Sequence, residues 1–361
     1  MLKNIIKEYP LFLSLVALLA FSYYEHTLAH SVMGNMLGFL VIFGVIIYSS
    51  MSVAHHAELL AEKFGEPYGT MILTMSAVVV EIVIISIMML HEHNPVLARD
   101  TIYSAIMLDI NGLLGFAAIV GGLKYGEQPY NVDSSNSYLS MLLVALGVAM
   151  IIPNFIPAAA YNSFMLFNVV IFILLYLVFT RIQLKDHRYF FQYKGTGEIL
   201  TEQEHGHAPH GEINALYHAL LLIVSIVMIG LLSEIMAVFM GNDIEYLGLP
   251  LVLSAVGVAI ISAAPELITA VRAALDNRMQ TVINIALGAS LATVLLTIPA
   301  VIVIGMVTNL EIELALTPVQ GAMLGLTILV SMINFSDGET NMLEGFLHVI
   351  LFILFAYLLF V

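Results

Sequence analysis

Apolar runs, each about as long as a bilayer is thick, alternate with short polar stretches along the whole chain. Eleven such runs fall at approximately 9–24, 32–54, 68–91, 100–123, 137–157, 162–184, 213–240, 247–272, 280–308, 314–334 and 342–361. A spanning helix needs about 20 residues, and in lipid only helices and closed barrels satisfy every backbone group. The pattern predicts an all-α integral membrane protein with eleven transmembrane helices. Pro67 and Pro250 stand where the third and eighth helices should start, at the first helical position, which needs no N–H donor. One connection is long: residues 185–212, polar and rich in His, Glu and Gly.

Composition supports this reading. Of 361 residues, 60% are hydrophobic and 10% charged, against about 25% charged in soluble domains. The net charge of −15 sits in loops and in a few acids inside the apolar runs. With 11 Lys and Arg and no basic face, nucleic acid is excluded as a partner; membrane lipids and small cations remain. The chain has no Cys, which removes disulfides and thiolate metal sites, and no Trp, so Tyr and Phe supply any aromatic belt. The first run follows Lys3 and Lys7, but Glu25, His26 and His30 follow it in place of a small-residue cleavage site. It reads as a retained helix rather than a cleaved signal peptide.

Charge sets the orientation. With a cytoplasmic N-terminus, Lys3, Lys7, Lys63, Lys124, Arg181, Lys185, Arg188, Lys194, Arg272 and Arg278 fall inside, and only Arg99 falls outside. The C-terminus is then external.

The two halves look related. Glu58-Leu59-Leu60-Ala61 resembles Glu234-Ile235-Met236-Ala237, and Glu81 in the third helix matches Glu266 in the eighth. Asp100-Thr101-Ile102 parallels Gln280-Thr281-Val282, and Pro153-Asn154-Phe155 parallels Ile333-Asn334-Phe335. The expected organisation is an extra N-terminal helix (1–31), a first five-helix repeat (32–184), a cytoplasmic acidic and His-rich loop (185–212) and a second five-helix repeat (213–361). Five helices is an odd number, so the repeats enter the membrane from opposite sides. Inverted repeats of this kind place a transport site at the midplane.

Glu81 and Glu266 are the candidate site. A charged side chain mid-membrane costs about 2.5–3.5 kcal/mol on insertion scales, so such acids are rare and usually functional. At about 1.5 Å per residue, Glu81 lies about 21 Å from Pro67 and Glu266 about 24 Å from Pro250, on helices of opposite direction. Both reach the membrane centre. Low dielectric disfavours an ionised carboxyl that has no partner, so each group needs a proton or a metal cation. Two such groups facing each other make that choice exclusive, the minimum machinery for proton-coupled exchange. Pro265 frees a carbonyl in the preceding turn as a further oxygen ligand, and Ser262 adds a hydroxyl. Asp109, Asn111, Asn284 and Ser290 are supporting candidates on the next helix of each half, although Asn and Ser also serve interhelical bonds worth about 0.6 kcal/mol on average. Glu58 and Glu234, equivalent in the repeat but at opposite faces, are candidate vestibule acids.

The stretches His55-His56-Ala57-Glu58, Gly65-Glu66-Pro67-Tyr68-Gly69-Thr70 and Ala98-Arg99-Asp100-Thr101 carry a family resemblance. So, more specifically, do Ala264-Pro265-Glu266, Met279-Gln280-Thr281 and Thr297-Ile298-Pro299-Ala300. They resemble the calcium/proton exchangers of the cation/calcium antiporter superfamily, above all the bacterial ChaA-type sodium(potassium)/proton and calcium/proton antiporters. The resemblance implies an eleven-helix fold in a bacterial inner membrane. It also implies Ca²⁺, or Na⁺ or K⁺, exchanged for H⁺ at Glu81 and Glu266 by alternating access, with no cofactor and no enzymatic activity. The family's Gly-Asn before each glutamate is replaced by Ala77-Val78 and Ser262-Ala263, which leaves the cation open.

The long loop carries Glu202, Glu204, His205, His207 and His210, a set suited either to sensing pH or divalent cations or to solvating a linker. A membrane metalloenzyme is the rival class, prompted by His55-His56 with Glu58 and by His91-Glu92-His93. These groups lie at opposite membrane faces, about 30 Å apart, too far for one metal. A cation channel is the second rival.

Overall fold

The computed structural model describes residues 8–64, 68–183 and 214–360. Among them are eleven helices, one for each predicted run: α1 (Tyr9–Ala29), α2 (Val32–Phe64), α3 (Tyr68–Glu92), α4 (Leu97–Tyr125), α5 (Val132–Phe155), α6 (Ala158–Arg181), α7 (Ala215–Leu247), α8 (Val252–Leu275), α9 (Met279–Thr308), α10 (Pro318–Asn334) and α11 (Met342–Leu358). The helices α2 to α9 are long and apolar enough to cross a membrane; α10, α11 and the apolar part of α1 are shorter. Strands β1 (Glu127–Pro129) and β2 (Glu339–Asn341) pair antiparallel, with Gln128 opposite Thr340, and tie the α4–α5 turn to the α10–α11 turn.

Two expected boundaries shift. α2 runs on to Phe64 because its last turns are amphipathic, with His56, Ala57 and Leu60 buried on one side. Pro250 is not the first residue of α8; it precedes the helix and accepts Leu253 N–H at 3.1 Å, so α8 begins at Val252. Pro67 and residues 185–212 lie outside the described residues.

The packing obeys an exchange of each helix with the one five places later. α2 packs on α7. α4 packs on α8, α10 and α11, as α9 packs on α3, α5 and α6. Asp100 at the start of α4 accepts Gln320 Nε2 at the start of α10 at 2.9 Å, and Gln280 Nε2 at the start of α9 donates to Ser134 at the start of α5, also at 2.9 Å. These are the positions that the sequence pairs as Asp100 with Gln280. The helices approach closely where side chains are small. A Cβ on Gly345 would sit 2.7 Å from the Gly115 carbonyl oxygen, so α11 lies directly on α4.

Two apolar clusters result. One holds α4 to α6 and α9 to α11, including Ile106, Leu142, Ile283 and Phe355. The other holds α1 to α3 with α7 and the first half of α8, including Ile46, Ile84, Phe239 and Val258. Glu81, on α3 of the second body, meets α9 of the first, so the predicted site falls at the seam between them.

Candidate functional site: a three-acid cavity

The seam holds a cavity of about 760 Å³, lined by Glu81 of α3, Asp109 of α4 and Glu266 of α8, with Glu58 of α2 also on its wall. Glu81 is 2% exposed. Its Oε2 accepts two hydrogen bonds of 2.9 Å, from Thr293 Oγ1 and Thr297 Oγ1 of α9, while Oε1 has no partner. The two threonines fall in a π-helical turn, Thr293–Thr297, just before Pro299. Pro299 has no N–H for the Leu295 carbonyl four residues back. The helix widens there, and π turns of this kind recur at functional sites.

Asp109 lies in a second π turn, Leu108–Leu113, is 3% exposed and accepts Ser290 Oγ at 3.0 Å. Glu266 differs from both. It is partly exposed and makes no hydrogen bond among the described residues, and both Asp109 and Glu81 act on it electrostatically. Pro265 leaves the Ile261 carbonyl without its helical donor, and Ser50 Oγ of α2 takes it up at 3.4 Å. Ser262 and Asn284 line the same cavity, and Gln280 Nε2 donates to Asn284 Oδ1 at 2.9 Å.

The two ends of the bundle differ. The cavity wall includes Glu58 near the end of α2, Met71 at the start of α3, and Thr180 and Gln183 at the end of α6. This is the open end. At the other end Arg99 Nε donates to Asp100 Oδ1 at 2.8 Å and Arg99 Nη1 to the Ala315 carbonyl at 3.1 Å, while Glu313 N–H donates to the Pro95 carbonyl at 2.9 Å. None of these residues lines the cavity. That end is closed.

The sodium/calcium exchanger protein family matches this chain over residues 34–185 and again over 217–361, once in each half. The chain belongs to this exchanger family. It is similar to the sodium-potassium/proton antiporter ChaA of Escherichia coli (strain K12), 32% identical over 309 residues, 85% of this chain and 84% of that protein. It is 24% identical over 328 residues to the Ca(2+)/H(+) antiporter ChaA of Bacillus subtilis (strain 168), covering 87% of this chain and 91% of that protein. Its fold matches the structure of native YfkE with a TM-score of 0.76 at 19% identity, over 96% of this chain and 99% of that one. The protein is therefore a multi-pass membrane antiporter of cations.

Three predicted site residues of this exchanger, Asn111, Glu234 and Ser290, do not line the cavity. Asn111, two residues from Asp109 and so on another side of α4, donates to Thr327 Oγ1 at 2.8 Å; its Oδ1 lies 3.0 Å from His348 Nδ1. It joins α4 to α10 and α11. Glu234 is exposed and off the cavity wall. It stands 13 residues before the end of α7, whereas Glu58 stands six before the end of α2. Ser290 meets the site only through Asp109. Glu202, Glu204, His205, His207 and His210 lie outside the described residues.

His56 Nε2 lies 3.2 Å from Glu8 Oε2, and its Nδ1 is 3.1 Å from His218 Nδ1. The His91-Glu92-His93 group is at the other end of the bundle, and among the described residues no three His, Asp or Glu side chains are placed to hold a metal ion together. The sequence reading missed Thr293 and Thr297. Their spacing of four, two residues ahead of a proline within a helix, is the signal that marks them.

Proposed function

We propose that the exchanger moves Ca²⁺, or Na⁺ or K⁺, against H⁺, with cation and protons competing for Glu81 and Glu266. The observation that carries this reading is the cavity shared by acids from antiparallel helices of both halves and open at one end only. Buried carboxylates are kept by pairing with a cation or by taking a proton. A wall that admits solvent from one side at a time couples the two choices across the membrane. A channel needs a path through both ends, and the Arg99 network closes one.

In this reading Asp109 adds a third acidic side chain to the cavity wall, Ser262 and Asn284 complete its polar lining, and Ser290 orients Asp109. Glu58 is the vestibule acid of the open end. Lys63, Lys124, Arg181, Arg272 and Arg278 gather toward that end and Arg99 stands at the other, which supports a cytoplasmic open end, a cytoplasmic N-terminus and an external C-terminus in the cell inner membrane. The repeats are 32–184 and 213–361, after an extra helix within 1–31. The loop 185–212, with Glu202, Glu204, His205, His207 and His210, senses cytoplasmic pH or divalent cations; deleting 198–210 is expected to shift the pH dependence of transport, and an unchanged profile removes that role.

Proton flux in proteoliposomes, driven in turn by Ca²⁺, Na⁺ and K⁺, tests the reading and ranks the cations. Glu81→Gln and Glu266→Gln are expected to reduce flux to that of empty liposomes while the protein stays folded. Substantial exchange by either variant contradicts the assignment.

A further inference from the structure

His55, His56 and His218 gather at the open end where α1, α2 and α7 pack together, and none of them lines the acid cavity. His56, near the end of α2, is 2% exposed. Its Nδ1 stands 3.1 Å from the Nδ1 of His218 at the start of α7, and its Nε2 lies 3.2 Å from Glu8 Oε2, just ahead of α1. Glu8 is held in turn by the Tyr217 hydroxyl, which donates to Oε1 at 3.0 Å. The cluster thus ties α1 to the opening helices of the two segments that the exchanger family matches.

Hydrogen placement fixes what the pair can bind. A carboxylate only accepts, so Glu8 keeps the hydrogen of a neutral His56 on Nε2 and leaves Nδ1 as a lone pair aimed at α7. That is the arrangement of a metal-ligating histidine, whose other nitrogen donates to a carboxylate that sets tautomer and ring orientation. His218 meets the lone pair with an Nδ1–H. It is only partly buried, so solvent can carry that hydrogen to its own Nε2. The contact then becomes two facing lone pairs, with no net proton released.

The spacing fits as well. Zinc–imidazole bonds of about 2.0–2.1 Å at tetrahedral angles put two ligating nitrogens about 3.3 Å apart, close to the distance already present. Among the described residues no third His, Asp or Glu side chain is placed with them. The exposed His55 is near enough to act electrostatically on both rings, and with water it is the ligand at hand for the remaining positions. Imidazole suits Zn²⁺, Cu²⁺ or Ni²⁺, whereas Ca²⁺ takes oxygen ligands. The cluster is chemically distinct from the acid cavity.

We propose that His56 and His218, oriented by Glu8, form a binding site for a transition-metal dication of the Zn²⁺ class that restrains the exchanger from its open end. Bound there, the ion staples α2 to α7. It also lies two residues along α2 from Glu58 on the cavity wall, so its two charges oppose cations gathering at the mouth. The restraint rests on the reading of Glu58 as the vestibule acid; metal binding does not, and it needs neither Glu81 nor Glu266. Glu81→Gln and Glu266→Gln are therefore expected to lose exchange and keep the Zn²⁺ site.

Calorimetric titration of the full chain in detergent with Zn²⁺ alone tests the site. The wild type is expected to show a class of binding that His218→Ala loses. Glu8→Gln, which keeps both imidazoles, should weaken it by about tenfold or more. Superimposable titrations of the wild type and His218→Ala overturn the proposal, whatever the loop histidines add to both. Should His218→Ala fail to fold, Glu8→Gln carries the test, and an unchanged affinity there contradicts it. In proteoliposomes, Zn²⁺ on the open-end side is expected to raise the half-saturating concentration of the transported cation severalfold in the wild type and not in His218→Ala. Inhibition of equal size in both, as from Zn²⁺ competing at the acids, contradicts the proposal, and so does a wild type whose transport saturating Zn²⁺ leaves unchanged.

Discussion

Glu81 and Glu266 hold the same place in two related halves, yet their surroundings are opposite. Glu81 is locked by two hydroxyls from the other half and shut away from solvent; Glu266 stands beside a proline with no hydrogen bond and faces the cavity. Equivalent carboxylates in an inverted repeat are thus not interchangeable. In the proposed exchange the fixed one provides a preorganised oxygen and the free one swings between proton and cation. A site built from a rigid and a mobile ligand gains geometric selectivity from the first and exchange from the second.

Shortening each acid by one methylene should expose the difference most. Glu81→Asp withdraws the carboxyl from Thr293 and Thr297, losing two hydrogen bonds to a charged group at about 1.5–3 kcal/mol each. Exchange is expected to fall by about 100-fold or more, since about 1.4 kcal/mol is a factor of ten. Glu266→Asp, with no such bonds to lose, is expected to retain exchange within about tenfold of wild type. Equal losses remove the distinction. Next in size, Thr293→Val or Thr297→Val alone removes one of the two bonds and keeps the volume, so half-saturating cation should rise about tenfold. An unchanged value means the threonines only pack.

Pro265→Ala restores a helical donor to the Ile261 carbonyl. The fold should become more stable, by no more than about 3 kcal/mol, while exchange slows severalfold because the Glu266 turn stiffens. Thermal unfolding and flux on the same sample check both halves of that statement. The smallest effect belongs to Asn111→Ala. It breaks the link to Thr327 and His348, costing about 1 kcal/mol of stability, and should leave the cation dependence of flux unmoved. A change in that dependence returns Asn111 to the site.

The helices were legible because a bilayer leaves the chain no other arrangement: each apolar run must close its own hydrogen bonds. The exchange of Asp100 with Gln280 could also be read, since each opens its helix with the same Thr-β-branched pair. Registers at helix ends were less legible. Glu58-Leu59-Leu60-Ala61 and Glu234-Ile235-Met236-Ala237 look alike, yet Glu58 lines the cavity whereas Glu234 is exposed and off its wall, 13 residues before the end of α7. The Glu81 clamp was hidden for another reason. A threonine inside a helix usually returns its hydroxyl to its own backbone, as Thr308 does to the Ile304 carbonyl at 2.7 Å. Only the crossing of α9 over α3 turns Thr293 and Thr297 to an acid 212 and 216 residues away. Asn111 shows the converse, a polar residue beside a site acid that serves the packing of α4, α10 and α11.

The proposed exchange requires protons and cation to compete for one pair of carboxyls. Proton release on cation binding measures that directly, in weakly buffered detergent solution with the cation that drives flux best. The expected result is protons released as the cation binds, because carboxylate ligands must be deprotonated to coordinate it, with release lost in Glu81→Gln and in Glu266→Gln. Cation binding by the wild-type protein with no proton released, or release undiminished in both variants, contradicts it.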